Sequence, residues 1–277
     1  MLHALQSELF RLRRRPQTWI MPVLALVFIV AFYTVIYLVY QIGDVSERAS
    51  MKDSLKVSNI FENGMAIFGF FGGILIVIVA SSLIGSEFSW NTLRPLVARA
   101  KTRNSLLSAK WIVVVAYTVA MVIIGMIGSM VIAAIGSALV GNSMSFSAGL
   151  SDFFLLGAVR WIVASLPYAV IAFAVALITR SNAAGIAIGI GISFVEPLLF
   201  GLLGLLSDTF ESIQEYGINW NVSQLTSISR QGGDSSTFGA PVSTEQAWQS
   251  VGILAVYVAI FVAASYIVFN RRDITSG

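Results

Sequence analysis

The sequence contains no cysteine and a single histidine, His3, and these two shortages exclude several kinds of site. Without cysteine the chain has no disulfide, no thiolate metal site and no cysteine nucleophile. With one histidine it cannot form bis-histidine haem ligation or a histidine metal cluster. A redox carrier is therefore a poor interpretation of this chain, and we expect it to bind no cofactor of its own.

Charge is also scarce. Charged residues make up 11% of the 277 residues and hydrophobic residues 57%, whereas soluble domains carry roughly 25% charged residues. The apolar residues fall in long blocks, and a block of ~18 residues is long enough to cross the ~30 Å hydrocarbon core of a bilayer. These features predict an integral membrane protein.

Six apolar runs predict an all-α membrane protein with a single permease domain over residues 1–277. The predicted spans are about 18–40, 64–84, 111–140, 156–178, 183–206 and 248–269. Residues 179–182 form a tight polar turn, which predicts a helical hairpin, and 207–247 is the one long polar loop. The first run is about twice as long as a signal-peptide core, so it is predicted to remain as a span.

The basic residues predict the orientation, because cytoplasmic loops are enriched in Lys and Arg. If the N-terminus is inside, the inside segments hold twelve of the seventeen basic residues: Arg11, Arg13, Arg14, Arg15, Arg94, Arg99, Lys101, Arg103, Lys110, Arg180, Arg271 and Arg272. An even number of spans puts the C-terminus on the same side. We predict a multi-pass protein of the cell membrane with both termini cytoplasmic.

The N-terminal stretch has leucines at helical spacing, namely Leu2, Leu5, Leu9 and Leu12, and its arginines crowd before Pro16. This pattern predicts an interfacial helix that lies on the membrane surface with its bases toward anionic headgroups. A nucleic-acid patch is the alternative, but positive-inside anchoring already accounts for the charges, so no nucleic-acid partner is predicted.

The loop over residues 85–110, between the second and third spans, holds five bases and one acid. Its composition predicts a short helix from Glu87 to Leu93 that Pro95 ends or bends. Such a helix, parallel to the membrane and exposing Glu87 and Arg94, would suit a soluble partner. From composition alone an ordinary positive-inside loop is the better interpretation.

The order of residues in this loop adds a resemblance. Glu87, an aromatic residue, then Thr92-Leu93-Arg94, followed by Arg103 and Lys110, resembles the membrane subunits of ABC type-2 exporters. The closing run Phe269-Asn270-Arg271-Arg272-Asp273-Ile274 resembles the C-terminal signature of the same family. One departure is Ala100-Lys101-Thr102, which stands where the family has a proline before its second arginine.

The resemblance implies that the loop is a coupling helix seated on a separate ATPase subunit. It assigns six residues to ATPase coupling: Glu87, Phe88, Thr92, Leu93, Arg94 and Arg103. The sequence has no Gly-x-x-x-x-Gly-Lys-Ser/Thr phosphate loop, so ATP and Mg²⁺ are expected on the partner ATPase. A second permease chain, identical or different, is the other expected partner.

Two glycines in the fifth span, Gly185 and Gly189, admit a dinucleotide-binding interpretation, but they lie in an apolar span. Small residues four apart let helices pack closely in membranes. We predict helix packing here, at the dimer interface if the first and fifth helices form one, as they do in the family.

Two charged residues fall inside spans, Arg160 in the fourth and Glu196 in the fifth. An isolated charge at depth costs ~2.5–3.5 kcal/mol on insertion scales, so we hypothesise that the two form an ion pair. The alternative places Glu196 on the substrate path. Pro197 is predicted to break the fifth helix, with Leu198–Leu206 as a re-entrant turn.

A stand-alone secondary transporter or channel is the main rival function. Such proteins use several buried acids as a proton or sodium relay, and Glu196 is the only acid within the predicted spans. A membrane enzyme is a weaker rival, because Glu196 with Arg160 is too sparse a set for catalysis.

Overall fold

The computed structural model describes residues 2–42, 44, 52, 55, 57–99, 102–141, 150–204, 213–227 and 244–271. These residues are almost all helical, and none of the described residues lies in a β-strand. The described part of the chain thus confirms the predicted all-α class.

Ten α-helices run through the described residues. They are α1 (Leu2–Arg14), α2 (Pro16–Ile42), α3 (Val57–Ile67), α4 (Gly73–Ser89), α5 (Leu93–Arg99), α6 (Arg103–Val140), α7 (Leu150–Thr179), α8 (Asn182–Gly204), α9 (Ile218–Ser227) and α10 (Thr244–Arg271). A π-helical turn, Phe68–Gly72, joins α3 to α4 without a break.

Six of these segments are long and apolar enough to cross a membrane, counted over the described residues. They are Pro16–Ile42, Asn63–Ser89, Arg103–Val140, Gly157–Thr179, Asn182–Leu203 and Glu245–Arg271. The six predicted spans are confirmed in number and order. We call the side of the bundle with α1, α5 and the α7–α8 turn the basic side, and the side with α9 the opposite side.

The helix α6 is much longer than the predicted span 111–140. Its 38 residues extend ~57 Å at 1.5 Å per residue, about twice the hydrocarbon thickness. The helix starts early because Thr102 caps it, its side chain accepting the Ser105 N–H at 3.2 Å. The first two turns of α6, including Lys110, therefore belong to the basic side.

The centre of the bundle is built from α4 and α7, which are the most enclosed of the spanning helices. The turn from α7 to α8 contains only Arg180 and Ser181, and Arg180 adopts the left-handed conformation with φ 56°. Ser81 in α4 donates to the Asn182 carbonyl at 2.8 Å. This bond ties the start of α8 to α4.

One expectation for the region after Glu196 is wrong. Pro197 does not break the helix but lies inside α8, which continues to Gly204. The Ser193 carbonyl, which Pro197 leaves without a backbone donor, accepts a hydrogen bond from Asn219 Nδ2 at 2.8 Å. The predicted polar loop 207–247 contains the helix α9. The end of the proposed re-entrant turn, residues 205–206, and residues 272–274 of the C-terminal signature lie outside the described residues.

Candidate functional site

Five charged side chains meet on the basic side and form what we call the charge cluster: Glu8, Arg11, Arg15, Glu87 and Lys110. Lys110 Nζ donates to Glu8 Oε2 at 3.1 Å and to Glu87 Oε1 at 2.6 Å. Its third bond goes to the Leu83 carbonyl at 3.4 Å. An ammonium has three donors, so Lys110 has a partner for each of them.

The two arginines complete the cluster from the end of α1. Arg11 lies 3.3 Å from Glu8 Oε1 and 3.6 Å from Glu87 Oε1. Arg15 lies 3.8 Å from Glu87 Oε1 and donates to the Ser82 carbonyl at 3.0 Å. Two carboxylates thus face three bases, and Glu87 Oε1 is shared by all three.

The charge cluster joins three helices that are distant in sequence. The side chains of Glu8 in α1, Glu87 in α4 and Lys110 in α6 are each 2% exposed. Removing one partner of a buried ion pair leaves an uncompensated charge and typically costs ~3–5 kcal/mol. The cluster therefore fixes α1 against the ends of α4 and α6.

The leucine stripe of α1 is only partly buried. Its buried edge contains Glu8 and Leu12, whereas Leu9 is exposed. The stripe thus packs partly on protein, and the charge cluster holds the Glu8 edge inward. The corner to α2 is closed by Thr18, which donates to the Leu12 carbonyl at 2.6 Å, and by Trp19, which donates to the Arg13 carbonyl at 2.8 Å.

The loop after the charge cluster consists of a turn and a short helix. The helix α4 ends at Ser89, and Asn91 adopts a left-handed conformation with φ 53°. The predicted helix Glu87–Leu93 is therefore wrong, since the chain turns within it. Pro95 does not end a helix either. It lies in the first turn of α5, where its missing N–H costs no intrahelical bond.

The six residues assigned to ATPase coupling occupy different environments. Glu87 and Leu93 are buried, Phe88 is partly buried against the core, and Thr92 is exposed. The expected exposure of Glu87 is wrong, because its carboxylate is buried in the charge cluster and accepts a hydrogen bond from Lys110. Arg103 begins α6, and the Arg94 side chain lies outside the described part of the chain.

Sequence reasoning missed several residues of this site. It did not connect Glu8, Arg11 or Arg15 with Glu87, although Glu8 and Arg11 lie three residues apart on one edge of α1 and Arg15 follows directly after the helix. It also passed over Trp90, which is 69% exposed at the turn after α4. Trp90 is thus a large exposed aromatic side chain close to the buried charge cluster.

The two glycines of α8 pack within the chain. A Cβ on Gly185 would lie 2.6 Å from the Ala172 carbonyl and against Ser81, and one on Gly189 would lie 2.7 Å from Val77. Both glycines therefore let α8 approach α4 and α7 closely.

The hypothesised ion pair between Arg160 and Glu196 is absent, although both residues are described. Glu196 Oε1 instead accepts the Asn219 backbone N–H at 2.9 Å. Arg160 makes no ion pair with any described residue. The pairing was inferred from depth alone, and depth does not specify which way each side chain points around its helix.

No group of three or more possible metal ligands occurs among the described residues. The charge cluster also lacks a nucleophile. Its contacts fix the geometry between α1, α4 and α6.

Comparison with known protein families gives one match, to the family described as ABC-2 family transporter protein, over residues 4–196. The match begins in α1, includes the charge cluster and the turn after α4, and ends at Glu196. No curated protein matches the chain. The matched stretch exceeds half of the chain and confirms the resemblance seen in the loop motif. The chain belongs to the ABC-2 family of transporter proteins, and it is a multi-pass membrane permease component of an ABC transporter.

Proposed function

We propose that this permease works as an exporter driven by ATP hydrolysis on a separate nucleotide-binding subunit. The observation that carries the proposal is the charge cluster, which joins α1, α4 and α6 immediately before the turn at Trp90. A partner that presses on this turn would move three helices together. The sequence has no phosphate loop of its own, which supports ATP and Mg²⁺ binding on the partner.

We further propose that the basic side is cytoplasmic and that the working unit contains two permease chains in the cell membrane. The positive-inside rule supports this orientation. The exposed apolar surfaces of α2 and α8 support lipid or a second chain as their neighbours.

In this proposal the coupling surface is formed by Trp90, Thr92 and the outer face of α5. Glu87 and Lys110 lie behind that surface and support it from within the charge cluster. The division differs from the sequence-based hypothesis, in which Glu87 itself contacts the ATPase.

Purification of the tagged chain from its native membrane tests the proposal. We expect a nucleotide-binding subunit to co-purify and to give vanadate-sensitive ATP hydrolysis. Trp90→Ala should reduce the amount of bound ATPase at least tenfold, since buried tryptophans at interfaces commonly carry 2 kcal/mol or more, by order of magnitude.

The matched control is Trp248→Ala, because Trp248 is 72% exposed at the other end of the molecule, in α10. This variant should retain the ATPase subunit. Equal retention by both variants would contradict the assigned surface, and absence of any nucleotide-binding subunit would contradict the proposed function.

A further inference from the structure

Arg160 is a cation inside a spanning segment, and it has no anionic partner among the described residues. It is the fourth residue of the apolar segment Gly157–Thr179 in α7, and its side chain is half-buried. The acid of the neighbouring span, Glu196, accepts the Asn219 backbone N–H instead. A guanidinium stays charged in proteins and has five N–H donors. Within the described part of the chain, the charge of Arg160 is therefore uncompensated.

Arg160 lies where the protein-facing side of α7 meets its lipid-facing side. Ala164 and Ile171, four and eleven positions later, share its edge of the helix, and both are buried. The residue before it, Val159, is 57% exposed, whereas the residue after it, Trp161, is 9% exposed. Arg160 thus stands between a buried flank and an exposed flank of the same helix turn.

Trp161 fixes the rotation of α7 at this level. A Cβ on Gly69, in the π-helical turn Phe68–Gly72, would collide with the Trp161 ring, so the ring lies directly on the glycine. Successive helix residues are about 100° apart around the axis. The contact therefore turns Arg160 away from the π-helical turn and toward the border with lipid.

An open space adjoins Arg160 one turn nearer to the opposite side. Gly157 stands three residues earlier on the same edge of α7, and a Cβ there would have no described atom within 4 Å. Helix side chains tilt toward the N-terminus of their helix. The N-terminus of α7 is on the opposite side, because the α7–α8 turn is on the basic side. The tilt therefore directs the Arg160 side chain over Gly157 and toward this space.

The depth of Arg160 selects the kind of anion that can reach it. Three residues separate it from the start of the apolar segment, which corresponds to ~4.5 Å along the helix axis. A long basic side chain at this depth extends to the headgroup region. Phospholipid phosphates lie in that region, and a guanidinium binds a phosphate with two parallel hydrogen bonds.

We propose that Arg160 and the open space at Gly157 form a binding site for the phosphate of a phospholipid in the opposite-side leaflet. The phosphate accepts hydrogen bonds from the guanidinium, and the acyl chains lie along the exposed flank of α7 at Val159. The lipid supplies the negative charge that the described residues do not. This inference goes beyond the proposed function and depends on neither export nor the ATPase.

A fluorophore beside the site tests the proposal, since the natural chain has no cysteine. Val159→Cys carries the fluorophore in the full chain, reconstituted in phosphatidylcholine nanodiscs. Quenching by doxyl-labelled phosphatidylglycerol and by doxyl-labelled phosphatidylcholine gives the relative association constant of the two lipids. Ile42→Cys is the control reporter, because Ile42 ends α2 on the same side of the bundle and is 81% exposed.

Phosphatidylglycerol should be preferred roughly fivefold at position 159, because its phosphate carries no compensating choline. Arg160→Gln should bring the ratio at position 159 to about one and leave the ratio at position 42 unchanged. A ratio at position 159 that does not depend on Arg160 would overturn the proposal. An equal fall at position 42 would also overturn it, since the effect would then be a general surface potential.

Two further variants separate the charge from the shape of the site. Gly157→Leu keeps Arg160 but fills the open space, so it should reduce the preference at least twofold, on the order of a few lost contacts. Arg160→Lys keeps the charge without the planar fork and should fall between the natural chain and Arg160→Gln. A full preference in Gly157→Leu would contradict the open space as part of the site.

Two competing ligands distinguish a lipid from a free anion. Doxyl-labelled diacylglycerol has the chains without the phosphate, and its quenching should not depend on Arg160. Inorganic phosphate has the charge without the chains, and an excess should not displace phosphatidylglycerol from position 159 at constant ionic strength. Displacement by inorganic phosphate would assign the site to a free anion, and Arg160-dependent binding of diacylglycerol would remove the role of the phosphate. Either result would overturn the proposal.

Thermal stability separates a lipid site from a contact within the chain. Because Arg160 has no partner among the described residues, Arg160→Gln should keep the melting temperature of the lipid-free chain in detergent within about 2 °C. Added phosphatidylglycerol should stabilise the natural chain more than this variant. A lipid-free melting temperature that falls by more than about 3 °C in Arg160→Gln would indicate a partner within the protein and would overturn the proposal.

Discussion

Lys110 is the most constrained residue of the charge cluster, because its ammonium donates to two carboxylates and one carbonyl while being almost fully buried. Burial makes each of these contacts expensive to lose, since Glu8 and Glu87 have no access to water in exchange. The one carboxylate oxygen of the cluster that finds no hydrogen bond among the described residues is Glu87 Oε2. The cluster is therefore sensitive to the loss of any base.

Lys110→Met tests this sensitivity. The change leaves two buried carboxylates without their central partner and should destabilise the protein by ~3–5 kcal/mol, which corresponds to a fall in melting temperature on the order of 10 °C. Thermal unfolding of the purified chain in detergent measures it. The control is Arg13→Met, an exposed base of α1, which should shift the melting temperature little. Equal shifts in both variants would contradict a structural role for the cluster.

At the residue scale the sequence predicted part of the site. The loop motif singled out Glu87 and Lys110, because both stand at positions of the pattern that resembles the family. Glu8 and Arg15 were not connected with them, because their meeting depends on how α1 packs, which no local pattern specifies. The leucine stripe of α1 is compatible with lipid or protein, and the structure shows that Leu12 packs on protein while Leu9 is exposed.

Among the elements, α8 packs closely on α4 and α7 at Gly185. A side chain there meets the Ala172 carbonyl and Ser81, and the backbone carbonyl cannot rotate away. Gly191, one further half-turn past Gly189 on the same helix, has no atom within 4 Å of its would-be Cβ. Alanine substitutions at Gly185 and Gly191 can therefore be compared to separate the effect of close packing from the effect of helix propensity.

Gly185→Ala should destabilise the protein by ~1–3 kcal/mol through overpacking. Gly191→Ala should be neutral or stabilising by up to ~1 kcal/mol, because alanine is the better helix former. Melting temperatures of the two variants in the same detergent provide the comparison. A loss of stability in Gly191→Ala as large as in Gly185→Ala would show that close packing at Gly185 is not the cause.

Pro197 in α8 and Asn219 in the first turn of α9 should be energetically coupled, because Asn219 Nδ2 donates to the Ser193 carbonyl at 2.8 Å. In the natural chain Asn219→Ala leaves the Ser193 carbonyl without a donor, whereas in a Pro197→Ala background the restored backbone N–H can serve it. The cost of Asn219→Ala should therefore be smaller in that background, by about 1 kcal/mol. A double-mutant cycle on thermal stability measures the coupling, and strictly additive costs would contradict the assigned hydrogen bond.

The elements themselves were predictable to different degrees. The six spans were found because their apolar runs exceed the bilayer thickness, which is a strong signal. Their ends were missed, as at Arg103, because a capped helix continues past its apolar part. The helix α9 was missed because it is short and polar, and only its tertiary contacts stabilise it.

For the whole molecule, the predicted orientation can be tested in oriented vesicles. Ser7→Cys in α1 and Ser223→Cys in α9 are both exposed positions on opposite sides of the bundle. In right-side-out vesicles an impermeant maleimide should label position 223 directly, and position 7 only after permeabilisation. The reverse pattern would place the basic side outside and would contradict the proposed orientation.

The molecule is thus proposed to work as two mechanical parts. On the basic side the charge cluster joins α1, α4 and α6 behind the turn at Trp90. On the opposite side Asn219 ties the start of α9 to Tyr168 in α7 and to Ser193 and Glu196 in α8. In this proposal, energy delivered at the first part reaches the second through α4, α7 and α8, which pack closely at Gly185. This transmission requires that α1, α4 and α6 keep their relative positions at the charge cluster.

The most direct test of that rigidity is a pair of spin-label distances in the ATPase complex, with doubly labelled chains diluted into unlabelled ones. Labels at Gln6→Cys and Thr92→Cys report across the charge cluster, and labels at Gln6→Cys and Ser223→Cys report across the membrane. On trapping with ATP and vanadate, the first distance should change by less than about 2 Å, the scale of a small helix shift, and the second by more. A first distance that changes as much as the second would contradict the account.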